Sequence, residues 1–160
     1  MIPPIPSVLA STDFSDFANE AIPQAYAAVD DGGTVHLIHV VELAAAGSVP
    51  NPLYAHYTPG RTLTRQEREA IHSHCAERLQ ALVPEGAEQR RISTKVHVVD
   101  DPDVASAIAR AAEECAVSLI CIASHGRTGL RKALFGCVAQ HVLGKSRCPV
   151  LVVRAARARS

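Results

Sequence analysis

The feature that most constrains this chain is an alternation of short β-branched runs with longer helical segments. Ser7–Ser11, Thr34–Val41, Ile92–Val99, Ser118–Ala123 and Pro149–Val153 are compact, largely apolar runs. Such runs fit strands covered on both faces. Between the first two, Asp16–Val29 repeats Phe17, Ala21/Ile22, Ala25/Tyr26 and Val29 at a helical period. Pro23 is expected to bend that helix, and Asp31-Gly32-Gly33 to end it. Thr64 with Glu67 forms a capping-box pattern ahead of Ile71, Cys75, Leu79 and Leu82. Asp101-Pro102 reads as the start of a helix whose inner face carries Val104, Ile108, Ala111/Ala112 and Cys115. Cys137–Leu143 is the last helical segment. Strands that alternate with helices in this way build a parallel sheet with helices on both faces. Ligands of such sheets bind beyond the carboxyl ends of the strands, where strand order reverses.

Composition narrows the class further. Hydrophobic residues make up 48% of 160, and formal charge balances to zero. That supports one folded domain over 1–160 and gives no support to a nucleic-acid binder. No apolar run approaches the roughly 20 residues of a membrane span. The opening Met-Ile-Pro-Pro-Ile-Pro lacks the basic and apolar regions of a signal peptide. A cytoplasmic protein without membrane contact is therefore expected. The five cysteines, Cys75, Cys115, Cys121, Cys137 and Cys148, show no CxxC pairing. They read as free thiols, mostly small apolar core residues. Glu42–Leu63 has no period and is rich in Pro, Ala, Gly and Tyr. Its 43–63 stretch reads as a long loop, and residues 155–160 as a frayed tail.

The carboxyl ends of the first and fourth strands carry Ser11-Thr12-Asp13 and Ala123-Ser124-His125-Gly126. The second motif opens a glycine-punctuated basic loop with Arg127, Gly129, Arg131, Lys132 and Gly136, which leads into the helix at Cys137. Strand, glycine loop and helix together suit phosphate, since glycines admit backbone N–H groups and the helix N-terminus adds partial positive charge. The loop could also be only a tight turn. Asp13 has two readings: a cap with Ser15, or a polar contact to a base or ribose. His125 could fix the loop or touch phosphate. Gly144-Lys145-Ser146 is not a P-loop, because its first glycine would fall on Ala139 and the segment ends a helix. His72 and His74 point about 200° apart on a helix and cannot share one ion. Cys75 belongs to the apolar face, so no metal site is assigned.

These residues resemble the universal stress protein family over nearly the whole chain. The likeness is carried by TDFSDFANEAI, VHLIHVVE, SHGRTGLRKALFGCVAQHVL and RCPVLVVR. The family's nucleotide-binding branch has Gly-x2-Gly-x9-Gly-Ser/Thr; here the run is Ala123-x2-Gly126-x9-Gly136-Cys137. The expected architecture is a doubly wound five-stranded parallel sheet of order 3-2-1-4-5. The resemblance implies that Asp13, with Ser11 beside it, lies near an adenosine. It implies that the backbone of Val40, after His39, meets the adenine edge. Ala123 and Gly126 would pass close to ribose and phosphates. Gly136, Cys137 and Val138 would hold the terminal phosphates, within reach of Arg127.

Two signature positions depart from the family. Ala123 adds a methyl group, a small cost in strand dihedrals and roughly 1 kcal/mol or more at positive φ. Cys137 replaces a hydroxyl by a weaker donor, which costs about 1.5–3 kcal/mol at a charged phosphate. A thiol at a helix N-terminus suits redox sensing, but an inert core thiol is the reading adopted. The leading function is a stress or signalling protein that binds ATP or another adenine nucleotide, with any Mg2+ carried on the phosphates. No catalytic residue is assigned. The alternatives are a dimeric interaction module without nucleotide, and a slow ATPase. A homodimer through Val150–Val153 is implied by the resemblance, beside an unidentified protein partner.

Overall fold

The computed structural model describes residues 3–42, 62–124 and 137–154. The glycine loop with Gly126, Arg127 and Gly136, most of the long loop and the tail lie outside the described residues. Strands β1 (Ser7–Ser11), β2 (Thr34–Val41), β3 (Ser93–Asp100), β4 (Leu119–Ser124) and β5 (Val150–Arg154) form one sheet. Its order is β3-β2-β1-β4-β5, and every pair is parallel. The expected doubly wound arrangement is therefore present. The helices are α1 (Asp16–Asn19), α2 (Ala21–Ala28), α3 (Arg65–Gln80), α4 (Val104–Glu114) and α5 (Cys137–Lys145).

Strand alternation divides the core into two layers. Val8, Ala10, Leu37, Val41 and Cys121 pack with Ile22 and Tyr26 of α2 and with Ile71, Cys75 and Leu79 of α3. Leu9, Ile38, Ile120 and Ile122 pack with Ile108 and Ala112 of α4 and with Ala139 and Val142 of α5. Small alanines along α4 let that helix approach the sheet closely. The strands at the centre are buried on both faces, which is why they read as continuous apolar runs.

Two local details differ from the sequence expectation. Asp16–Val29 is two helices, broken at Glu20, rather than one bent helix. A helix running through would set the ring of Pro23 against the Asn19 carbonyl. With the break at Glu20, Pro23 sits in the first turn of α2, where no N–H is needed. The chain leaves α2 at Val29 and turns through Gly32, whose φ of +80° suits glycine. The helix-start signal at Asp101-Pro102 is displaced: Asp103 caps α4 by accepting from Ser106 N at 3.0 Å. Asp101 instead accepts from Asp103 N at 2.8 Å and positions that cap. The Thr64–Glu67 capping box forms as expected. Gly144 and Lys145 end α5, where Lys145 Nζ pairs with Asp103 at 2.7 Å; the rejected P-loop has no counterpart there.

Candidate functional site

The switch of strand order lies between β1 and β4, so the crevice opens where both strands end. Ser11 closes β1 and is buried. Thr12 follows, its N–H bonding Ile38 O at 3.1 Å and its hydroxyl accepting from Phe14 N at 2.8 Å. The same hydroxyl donates to Asn19 Oδ1 at 2.7 Å. Asp13 is exposed at the mouth, and one of its carboxylate oxygens accepts from Ser15 N at 2.9 Å. Ser15 in turn caps α1. The capping role of Asp13 is thus present, and it leaves the carboxylate at the rim of the crevice.

Val40 is brought to the same place by the register of β2. A parallel strand directs the N–H and C=O of successive residues to alternate sides. Ile38 O bonds Thr12 N on the β1 side, whereas Val41 O accepts from Asp101 N on the β3 side. Val40 therefore aims its backbone donor and acceptor toward β1, beyond the last β1–β2 pair, Ser11 with Ile38.

Ala123 lies within β4, half-buried, paired with Val153. It is absent from the residues with positive φ, so its methyl group carries no backbone penalty. Ser124 ends β4 and is buried. Cys137 and Val138 open α5 and are both exposed. Because α5 connects two parallel strands, its N-terminus lies at the carboxyl end of the sheet. Cys137 is consequently no core thiol, contrary to the sequence expectation. Cys75 and Cys121 are buried, and burial pushes their thiols up to about 11 and about 12. Cys115 and Cys148 are half-buried. His72 binds Asp100 Oδ1 at 2.8 Å, joining α3 to the end of β3.

The structure adds residues that the sequence reading passed over. His39 is 1% exposed, and its Nδ1–H donates to Thr12 O at 2.8 Å. Its ring lies 4.4 Å from that of Phe14, and the Arg78 guanidinium stands 4.6 Å over the other ring. Phe14 takes φ of +66°, a strained value for a bulky residue. Burial lowers the pKa of His39, against the hydrogen bond to Thr12 and the nearby Asp13 carboxylate, which raise it. A neutral imidazole thus pins the β1–α1 turn that presents Asp13. The available signal was a histidine in the run Thr34–Val41 on the face shared with Leu37 and Val41, whereas the other histidine of the strand, His36, faces the opposite side.

Comparisons with known proteins agree with this architecture. The model of the universal stress protein family matches residues 5–154. The universal stress protein MJ0577 of Methanocaldococcus jannaschii is 45% identical over 47 residues, a match spanning 29% of this chain and 29% of that protein. The solved structure of MJ0577 superposes with a TM-score of 0.68 and 25% identity, covering 96% of this chain and 99% of its own. A universal stress protein in complex with cAMP gives a TM-score of 0.60 at 17% identity, over 96% of this chain and 100% of its own. One from Archaeoglobus fulgidus in complex with dAMP gives 0.52 at 19%, over 92% and 96%. The family match over nearly all the described strands and helices places the chain plainly: it belongs to the universal stress protein family.

Proposed function

We infer that this chain binds an adenine nucleotide in the crevice between β1 and β4 and acts as a nucleotide-dependent stress or signalling protein. The observation that carries the reading is the backbone of Val40, one donor and one acceptor aimed past the end of β1. Such a pair complements an adenine edge, which offers an amine donor beside a ring-nitrogen acceptor. Asp13 at the rim suits ribose hydroxyls, with Ser11 behind it. Phosphates fall to Ala123, Gly126, Arg127, Gly136 and the first N–H groups of α5 at Cys137 and Val138. Mg2+ would arrive on the phosphates. Family members in complex with cAMP and dAMP support the choice of base.

Calorimetry on nucleotide-stripped protein tests this with ATP, ADP and AMP. Saturable heat is expected, and Cys137→Ser restores a hydroxyl that tightens binding about ten- to a hundredfold. No heat at millimolar ligand would refute the reading. That outcome would favour the second reading, an interaction module that works without nucleotide, to which the Cys137 departure points. Either reading places a second copy of the chain along β5, an edge strand whose Leu151 is 39% exposed.

A further inference from the structure

His36 of β2, His97 of β3 and Cys115 at the end of α4 meet on the face of the sheet that α4 covers. Parallel register pairs His36 with Lys95 and Ile38 with His97. The two histidines are therefore diagonal neighbours on one face. Their rings stack with centroids 5.2 Å apart, and His36 Nδ1 lies 2.9 Å from His97 Nε2. Cys115 caps the C-terminus of α4 close to this pair. Its position is set by a Schellman turn: Ala116 takes φ of +49°, its N–H bonds Glu113 O, and Val117 N bonds Ala112 O. One ligand atom from each of the three side chains lies within 4.8 Å of the others. Val40, at the crevice, is four residues along β2 from His36, about 13 Å away.

We propose that His36, His97 and Cys115 form a binding site for zinc(II), with solvent as the fourth ligand. Two imidazoles and a thiolate are ligand types suited to this borderline-soft cation. Tetrahedral coordination at about 2.0–2.1 Å spaces ligand nitrogens roughly 3.3 Å apart. The histidine pair must therefore open by only about 0.4 Å. His36 is buried, whereas His97 and Cys115 are half-buried, so solvent reaches the open position. Burial, with His97 and Lys95 beside it, pushes His36 down to about 4. Burial and Lys95 also lower His97. Both rings are thus neutral and carry lone pairs. Burial and the Glu114 carboxylate raise the Cys115 thiol, and Lys95 opposes them. The Lys95 ammonium disfavours a bare cation nearby, which Glu114 and the new thiolate offset.

The proton balance is simple. The ring that now donates in the histidine pair moves its proton to its outer nitrogen. The Cys115 thiol loses its proton to solvent, so each ion bound releases one proton. The alternative is a hydrogen-bonded histidine pair with an idle thiol above it.

Titration of the reduced, tag-free full chain with cobalt(II), a spectroscopic stand-in for zinc, separates the two. One equivalent should produce a thiolate-to-cobalt charge-transfer band and the visible bands of a tetrahedral ion, and zinc should displace both. Cys115→Ser should abolish the charge-transfer band. His36→Gln and His97→Gln should each weaken binding at least about tenfold. Cys137→Ser and Cys148→Ser should leave the spectrum unchanged. Circular dichroism checks that each variant is folded, and His97→Gln, at a half-buried position, keeps the test available if His36→Gln unfolds. A featureless spectrum at stoichiometric cobalt overturns the proposal. So does a charge-transfer band that survives Cys115→Ser, or binding indifferent to His97→Gln.

Discussion

His39 is the residue whose removal should disturb the crevice most directly, and His39→Leu isolates the reason. The wild-type ring donates to Thr12 O at 2.8 Å, and both residues are buried. Leucine fills similar space but leaves that carbonyl without its donor. An orphaned buried acceptor costs about 1–3 kcal/mol. Loss of the ring pair with Phe14 adds about 0.5–1.5 kcal/mol, and the better burial of leucine offsets part of the sum. A net loss of about 2 kcal/mol follows. In urea, with a slope near 2 kcal/mol per molar, the unfolding midpoint should fall by about 1 M. His39→Asn places an amide donor close to the position of Nδ1 and should recover part of the loss.

The same substitution has a pH signature. Burial lowers the folded pKa of His39 below its unfolded value near 6.5. The unfolded chain therefore takes up a proton that the folded chain refuses. Stability is full above the unfolded pKa and falls as pH drops toward the folded one, by at most about 1.4 kcal/mol per pH unit. Leucine lacks this term. The gap between wild type and His39→Leu should thus narrow as pH falls from 7 to 5. A midpoint shift under about 0.3 M at pH 7.5 would refute the argument, as would a gap that does not narrow with pH.

Two further expectations concern packing and assembly. A Cβ at Gly33 would lie 2.7 Å from Pro6 O, 2.7 Å from Val29 Cγ2 and 2.9 Å from Asp30 O. Two of these are backbone atoms that cannot move aside cheaply, so Gly33→Ala should cost about 1–3 kcal/mol by thermal or urea unfolding; a change within 0.5 kcal/mol contradicts the close approach. Light scattering after size exclusion should report a dimer that Leu151→Asp dissociates; a clean wild-type monomer removes β5 as the pairing edge.

The alternation of strands and helices was readable because each element buries two faces or one stripe, and burial imposes its period on the residues. Strand limits agree with the reading to within about a residue, as at Thr34–Val41 and Ser7–Ser11. Local rules that depend on one or two residues were less secure. Pro23 was legible as a disturbance but not as a clean break at Glu20, because a bend and a break share the same signal. Asp101 and Asp103 are both competent caps, and only the hydrogen bonds between them and Ser106 select one.

What the chain determines by itself is the set of elements and their hydrophobic faces, together with the spacing of Gly126 and Gly136 and the family likeness they carry. These are short-range properties, written in period and turn chemistry. Tertiary structure alone decides which distant residues meet. Register across β2 and β3 joins His36 to His97, 61 positions apart. The end of β1 against β2 joins His39 to Thr12, 27 positions apart. The histidines and cysteine close in sequence, at 72, 74 and 75, part company on their helix, while three far apart converge under α4. Exposure is decided in the same way: Cys121 and Cys137 are alike as residues, yet one is walled in by the sheet and the other stands at the open end of α5. Pairing across a sheet is a non-local event, and no window of sequence contains both partners.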